Sequence, residues 1–96
     1  MNFSERIIET IKSIKFGNVL SYKEVAELAG NPNGARQVAR ILHTSSKKYN
    51  LPWHRVVNSS MKVSIKDPYS FNLQIKLLRS EGLIVSDNGQ VIIGII

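Results

Sequence analysis

Apolar residues recur at helical spacing in several parts of the chain, and two of these parts begin with a helix-start signal. The first helix is predicted from Asn2 to Ile14, because Asn2 and Glu5 have the spacing of a capping box. A second helix is predicted from Ser21, which has the same spacing to Glu24, and it should end at Gly30. The apolar positions predicted to face inward are Phe3, Ile7, Ile8, Ile11, Ile14, Val25, Ala26, Leu28 and Ala29.

A strong turn and a third helix follow. Residues 31–34 are Asn-Pro-Asn-Gly, which predicts a tight turn, and a helix is then predicted from Ala35 to His43. Its inward side should carry Val38, Ala39 and Leu42, whereas Arg36, Arg40 and His43 recur at i, i+4 and i+7 on the other side. This arrangement is typical of a helix-turn-helix, although helical hairpins with exposed arginines also occur in proteins that never bind DNA.

The second half alternates short strands with one more helix. Residues 44–50 read as a polar loop, Val56 and Val57 as a short strand, and Met61, Val63 and Ile65 as a half-buried strand. Residues 66–71 read as a loop, and a helix is predicted from Asn72 to Glu81 with Leu73, Leu77 and Leu78 as core contacts. A β-hairpin over residues 83–93 turns at Asn88-Gly89. We therefore predict one α+β domain, residues 1–96, with winged-helix character.

Composition narrows the possible chemistry. The chain has no cysteine, which excludes disulfides, thiolate metal sites and cysteine nucleophiles. Its two histidines lack nearby carboxylates, so we expect no metal ion and no cofactor. No apolar run approaches the roughly 18 residues of a membrane span, and the N-terminus lacks a signal-peptide pattern. We expect a cytoplasmic monomer without a membrane partner.

Charge is distributed unevenly along the chain. The net charge is +6, and there is no acidic residue between Glu27 and Asp67. A segment of one sign suits a polyanion partner, but a solvated basic surface would look the same. The basic residues of this segment are Arg36, Arg40, Lys47, Lys48, Arg55, Lys62 and Lys66.

Five short motifs, taken in order, resemble one family. They are Ser-Tyr-Lys-Glu at 21–24, Ala-Gly-Asn-Pro at 29–32, Ala-Arg-Gln-Val at 35–38, Pro-Trp-His-Arg-Val at 52–56 and Leu-Leu-Arg-Ser-Glu-Gly at 77–82. This order is similar to that of the DNA-binding domain of O6-alkylguanine-DNA alkyltransferases, over roughly residues 19–83. Those enzymes carry cysteine where this chain has Trp53, and the tryptophan version resembles the alkyltransferase-like proteins, which bind alkylated guanine without repairing it.

The resemblance implies a role for each matching residue. Arg36 matches the arginine that enters the duplex through the minor groove and fills the space of a flipped nucleotide. Tyr22 matches the tyrosine that turns the 3′ phosphate. Trp53 and Val56 should line the damaged-base pocket, with His54 and Arg55 beside them and Glu81 at the position of the enzymes' glutamate. Phosphate or groove contacts are expected from Gln37, Arg40, Lys47 and Lys48.

Chemistry at Trp53 favours binding without catalysis. Alkyl transfer from guanine O6 needs a nucleophile such as a thiolate, whereas an indole offers only an N–H donor. We therefore expect a protein that binds O6-alkylguanine in double-stranded DNA and, as the resemblance implies, promotes its repair by nucleotide excision repair proteins. The alternatives are a winged-helix transcription regulator that reads undamaged DNA through Arg36, Gln37 and Arg40, and a residual alkyltransferase.

One segment departs from the family pattern. The family has a glycine-rich loop before the last motif helix, but residues 64–71 of this chain contain no glycine. That loop closes the alkyl pocket, so the range of O6-alkyl groups accepted depends on its shape here. Ser70 is the candidate in this segment for a backbone contact to the lesion.

Overall fold

The computed structural model describes residues 1–92, and its elements are short and mainly helical. The helices are α1 Phe3–Lys12, α2 Tyr22–Leu28, α3 Ala35–Tyr49 and α4 Pro68–Ser80, with a 3-10 turn at Trp53–Arg55. The strands are β1 Leu20–Ser21, β2 Val56–Val57, β3 Ile84–Val85 and β4 Val91–Ile92. The α+β class predicted from the sequence is therefore confirmed. No helix within residues 1–92 is long and apolar enough to cross a membrane.

Both predicted capping boxes are present. The Asn2 side chain accepts the Glu5 N–H at 2.8 Å, and the Glu5 carboxylate accepts the Asn2 N–H at 3.2 Å. Ser21 and Glu24 make the same reciprocal pair at 3.0 and 2.8 Å. Because each box satisfies two backbone donors that lack a helical partner, these short helices begin where the sequence predicts.

Two clusters of buried side chains meet at strand β2. One lies among α1, α2 and α3, and the other lies under α4 and the β3–β4 hairpin. Strand β2 pairs in parallel with β1, with Leu20 opposite Val56 and Ser21 opposite Val57. Val56 belongs to the first cluster and Val57 to the second, because successive strand residues face opposite sides. The strand therefore joins the two halves of the core.

Helix α3 is longer than predicted. The predicted end at His43 and the predicted loop over residues 44–50 are wrong, because α3 continues to Tyr49. The hydroxyls of Thr44 and Ser46 donate to the carbonyls four residues earlier, so these polar side chains find partners within the longer helix. Asn50, in the left-handed conformation with φ 51°, ends the helix.

Two residues predicted to face inward do not. Leu28 is 67% exposed, because it is the last residue of the seven-residue α2 and its side chain projects past the core. Ala39 is also exposed, on the side of α3 that borders the cavity described below.

The segment between β2 and α4 also differs. The strand predicted from Met61 to Ile65 is reduced to an isolated bridge between Lys62 and Gln90. Met61 has φ 57°, which is incompatible with a continuous strand. Helix α4 begins at Pro68, four residues before the predicted start, because the Asp67 side chain accepts the Ser70 N–H and proline suits the first turn.

Contacts of α4 and of the hairpin are partly as predicted. Leu78 is buried as expected, but Gln74 and Ile75 are buried with it, whereas Leu73 and Leu77 are half-buried. The hairpin is confirmed, with Ile84 opposite Ile92 and Val85 opposite Val91. Gly89 occupies its turn at φ +92°, where an added Cβ would lie 3.0 Å from Val63. The predicted strand residue Ile93 lies outside the described residues.

Candidate functional site

A cavity of about 620 Å³ opens beside the 3-10 turn of residues 53–55. Its volume lies within the range of small-molecule sites, and it is large enough for a nucleobase. Five residues predicted from the sequence to bind the lesion or DNA line it: Tyr22, Lys47, Trp53, Val56 and Ser70. The cavity is also lined by His43, from the basic side of α3, and by residues that the sequence did not identify: Ala39, Leu42, Ser46, Asn50, Leu51, Ser64, Ile65 and Gln74.

Trp53 forms an aromatic wall of this cavity. Leu51 is buried, and its N–H donates to Ser46 O at 2.8 Å, which ties the turn to the end of α3. Trp53 is half-buried, and its ring meets the His54 ring edge-on at 84° with centroids 6.2 Å apart. The tryptophan therefore contributes a fixed apolar surface and packs outside the two buried core clusters.

His54 and Arg55 point away from the cavity, toward Glu81. His54 Nε2 lies 2.6 Å from Glu81 Oε2, and Arg55 Nη2 donates to the same oxygen at 2.9 Å. Arg55 Nε lies 3.1 Å from both carboxylate oxygens, and Arg55 Nη1 donates to Ile14 O at 2.8 Å. Neither side chain lines the cavity, so the structure places both on the side of the turn that faces Glu81, and their predicted part in the lesion pocket stays a prediction. Their bonds to a carboxylate whose side chain is only 5% exposed explain this orientation.

Glu81 is held in its charged form. Burial would raise the pKa of this carboxyl group, but hydrogen bonds from Arg55, Gly17 and His54 outweigh burial and lower the pKa from 4.5 to about 2. The Gly17 N–H contributes at 2.7 Å from Oε1. The carboxylate thereby links the 3-10 turn, the end of α4 and the loop after α1.

Gln74 supports the turn from the other side. Its buried side-chain amide donates to the carbonyls of His54 and Val56 at 3.1 and 2.9 Å. This residue was not predicted as part of the site, although a glutamine flanked by apolar residues within a predicted helix was a signal for a satisfied polar group in the core. Together, Gln74 and Glu81 hold the backbone that presents Trp53.

Ser70 lines the cavity, but its polar groups already have partners. Its N–H and its hydroxyl donate to Asp67 Oδ2 at 3.0 and 2.7 Å. The Ser70 N–H is therefore engaged as part of the α4 cap, and the predicted backbone contact to the lesion stays a prediction. The hydrogen bonds from Ser70 are the leading cause that lowers the pKa of the Asp67 carboxyl group.

Tyr22 lies across the cavity at the first position of α2 and is half-buried. Burial raises the pKa of its hydroxyl, and a hydrogen bond with Ser64 opposes that effect. A neutral phenol at the cavity rim can donate a hydrogen bond to a phosphate oxygen.

The other five residues predicted to contact DNA lie on α3, and four of them are outside the cavity. Arg36, in the first turn, and Arg40 are exposed. Gln37 donates to Ser4 Oγ at 3.0 Å, so its amide has a partner on α1. Lys48 lies over the Tyr49 ring, with its Nζ 5.3 Å from the centroid. Of the two predicted lysines, Lys47 alone borders the cavity, and the DNA roles of all five remain predictions.

No group of three metal-ligating side chains occurs among residues 1–92. The chemistry available around the cavity is therefore that of an aromatic wall, hydroxyl groups, amides and a lysine.

Similar proteins identify the family. A DNA base-flipping protein of Escherichia coli (strain K12) is 39% identical over 90 residues, which cover 94% of this chain and 69% of that protein. Alkyltransferase-like protein 1 of Schizosaccharomyces pombe is 34% identical over 65 residues, covering 68% of this chain and 60% of that protein. The crystal structure of S. pombe Atl1 in complex with damaged DNA containing O6-carboxymethylguanine matches with a TM-score of 0.78 at 28% identity. That match covers 96% of this chain and 88% of the other.

The family model described as "6-O-methylguanine DNA methyltransferase, DNA binding domain" matches residues 2–83. The resemblance drawn from the five motifs is therefore confirmed, as is the fold that it implied. The chain belongs to the family of 6-O-methylguanine DNA methyltransferase DNA-binding domains, and its relatives include base-flipping and alkyltransferase-like proteins.

Proposed function

We propose that this protein recognises O6-alkylguanine in double-stranded DNA by receiving the flipped nucleotide in the Trp53 cavity. The observation that carries the proposal is the cavity itself, which has an aromatic wall and a volume of about 620 Å³ on a chain of this family. An O6-alkyl group gains an apolar surface against Trp53 and Val56, whereas unmodified guanine gains none there. Relatives named for base flipping, and one bound to damaged DNA, support the same reading.

Recognition proceeds without repair chemistry in this proposal. Trp53 stands where the resemblance places the alkyl-accepting cysteine, and the 96 residues contain no cysteine. Glu81 and His54 keep a hydrogen-bonded pair beside that position, but an indole provides no nucleophile for them to activate. The pair instead fixes the turn that carries Trp53.

Flipping a nucleotide has a cost that the protein surface can offset. Extrusion costs a few kcal/mol, and less when alkylation has weakened the base pair. Arg36 is exposed at the start of α3, where it can enter the space that the nucleotide leaves. Tyr22 at the rim and Lys47 beside it can contact the backbone phosphates.

A bound lesion must be removed by other proteins. We propose that the protein acts as a cytoplasmic monomer and passes the lesion to nucleotide excision repair, since it lacks a group that could accept the alkyl chain. In cells treated with a methylating agent, deleting the gene should then increase sensitivity. The same deletion in a strain without nucleotide excision repair should have no further effect, and an undiminished effect there would exclude this route.

Binding is tested directly with Trp53, which is the sole tryptophan. Matched duplexes with and without one O6-methylguanine are titrated while tryptophan fluorescence and DNA anisotropy are recorded. We expect tighter binding and stronger quenching with the modified duplex, because the flipped base lies against the indole. Equal affinity for the two duplexes would refute the proposed function.

A further inference from the structure

Helix α3 begins without a side-chain cap. Gly34 is its N-cap residue, and no side chain there accepts a backbone N–H. The preceding turn is held by its own bonds, from Gly34 N to Asn31 O and from Asn33 N to Asn31 Oδ1, both at 3.0 Å. Something other than a capping side chain must therefore set where the first turn of α3 lies.

Phe3 packs directly on this helix start. Gly34 is buried, and a Cβ added there would lie 2.4 and 2.5 Å from two atoms of the Phe3 ring. Such distances are not tolerated between real atoms, so any larger residue at position 34 requires the Phe3 ring to move. The start of α3 is thus seated on an aromatic ring of α1.

One helical turn later, a second contact joins the same two elements. Gln37 Nε2 donates to Ser4 Oγ at 3.0 Å, and Gln37 is half-buried. Positions 34 and 37 lie on one side of the helix, and Arg36 projects from a different side into solvent. Arg36 is therefore flanked in sequence by two residues that α1 holds in place.

We infer that the first turn of α1 is a positioning element for Arg36, acting through Phe3 on Gly34 and through Ser4 on Gln37. This rests on the proposed function, in which Arg36 enters the duplex. An inserted side chain must meet a space of fixed position, so a backbone displaced by about 1 Å loses much of its contact. On this account Gln37 supports the arginine from inside the protein and does not read DNA.

The first experiment is a double-mutant cycle on Ser4→Ala and Gln37→Met. Affinity is measured for duplexes with and without O6-methylguanine. We expect each variant to lower affinity for the modified duplex by up to about 5-fold, because the stabilisation from the lost bond limits the added cost of ordering the first turn of α3, with no change for the unmodified duplex. The double variant should be no weaker than either single variant. Thr10→Ala, which removes another α1 hydroxyl bonded only within its own helix, is the matched control.

A second readout separates positioning from general stability. With 2-aminopurine placed 3′ of the lesion, fluorescence at saturating protein reports the flipped fraction independently of affinity. We expect a lower amplitude for Ser4→Ala and Gln37→Met at a temperature where thermal unfolding curves show each variant to be fully folded. Gly34→Ala should lower the amplitude further, and adding Phe3→Leu should restore part of it because the shorter side chain leaves room for the new Cβ.

The outcomes distinguish this inference from the proposed function. If the unmodified protein does not discriminate between the duplexes, the proposed function fails and the inference with it. If it discriminates but the variants keep full selectivity and amplitude, the inference alone is overturned. Equal losses on both duplexes, or additive losses in the double variant, would likewise overturn it.

Discussion

Neighbouring residues of the 3-10 turn contact different parts of the protein. Trp53 lines the cavity, whereas His54 and Arg55 bind the Glu81 carboxylate on another side. A 3-10 helix has three residues per turn, so successive side chains point to different sides. The residues of the Pro-Trp-His-Arg-Val motif therefore face two different regions of the protein. The motif predicted Trp53 and Val56 as pocket residues, and both line the cavity. It does not include Gln74, whose apolar neighbours indicated burial but whose carbonyl partners depend on how α4 packs against the turn.

Truncating the tryptophan should remove selectivity and leave general DNA binding. We expect Trp53→Ala to weaken binding of O6-methylguanine duplexes about 5- to 150-fold, since stacking of one base on an aromatic ring contributes about 1–3 kcal/mol. Affinity for undamaged DNA should stay the same, as measured by anisotropy. Leu28→Ala, at a 67% exposed position on α2, is the control. An equal loss of affinity for both duplexes would mean that Trp53 stabilises the fold and does not contact the lesion.

Glu81 should make the stability of the protein depend on acid pH. Its pKa is about 2 in the folded state and about 4.5 when unfolded, so the carboxylate stabilises the fold fully above about pH 4.5. This contribution is lost as pH falls from about 4.5 to 2. At pH 7, Glu81→Gln should lower the free energy of unfolding by about 2 kcal/mol, because Arg55 loses its charged partner.

Urea unfolding at several pH values checks this prediction. The difference between the unmodified protein and Glu81→Gln should be largest near neutral pH and should shrink toward pH 2. Glu27→Gln, on an exposed position of α2, should leave the pH profile unchanged. A difference that is constant across the range would mean that the glutamate contributes by shape and not by charge.

At the scale of elements, the sequence correctly predicted features that depend on nearby residues, and it failed for features that depend on distant parts of the chain. The starts of α1 and α2 follow from side chains three residues apart, and the hairpin from Asn88-Gly89. The end of α3 was missed because residues 44–50 are mostly polar, and a solvated last turn of a helix has the same composition as a loop. The strand predicted over residues 61–65 failed because its partner is limited to one bridge at Gln90.

The end of α3 can be tested at Asn50. Asparagine tolerates its left-handed conformation better than most residues, and glycine tolerates it fully. We expect Asn50→Ala to lower the free energy of unfolding by about 1 kcal/mol and Asn50→Gly to leave it unchanged or raise it slightly. Urea denaturation measures both variants. Lys48→Ala, in ordinary helical geometry of the same turn, is the control, and an equal loss there would exclude the conformational explanation.

At the scale of the whole molecule, the cavity lies where the helical half meets the half built on α4. Tyr22 and Lys47 come from the first half and Ser70 and Gln74 from the second, with Trp53 on the segment between them. This juxtaposition depends on packing between distant parts of the chain, which no local pattern encodes. The acid-free range from residue 28 to 66 supplies α3, the turn and much of the rim. One-signed charge and the candidate pocket therefore coincide.

That coincidence predicts where charge matters for DNA binding. Each lysine that neutralises a phosphate adds about 0.9 to the slope of log affinity against log salt concentration. Lys47 borders the cavity, whereas Lys76 lines a separate depression on α4 with Arg79 and Asp87. Lys47→Gln and Lys76→Gln reduce the net charge equally. Comparing the two variants therefore separates the effect of a phosphate contact from the effect of the protein's overall electrostatic field.

We expect Lys47→Gln to reduce the salt slope by about 1 and to weaken modified and unmodified duplexes by the same factor, because a phosphate contact carries no information about the lesion. Lys76→Gln should leave the slope unchanged and lower affinity only slightly. Anisotropy titrations from low to physiological salt provide the measurement. Equal salt slopes for the two variants would mean that the protein attracts DNA through its total charge. DNA would then not bind preferentially to the side of the molecule that carries the cavity.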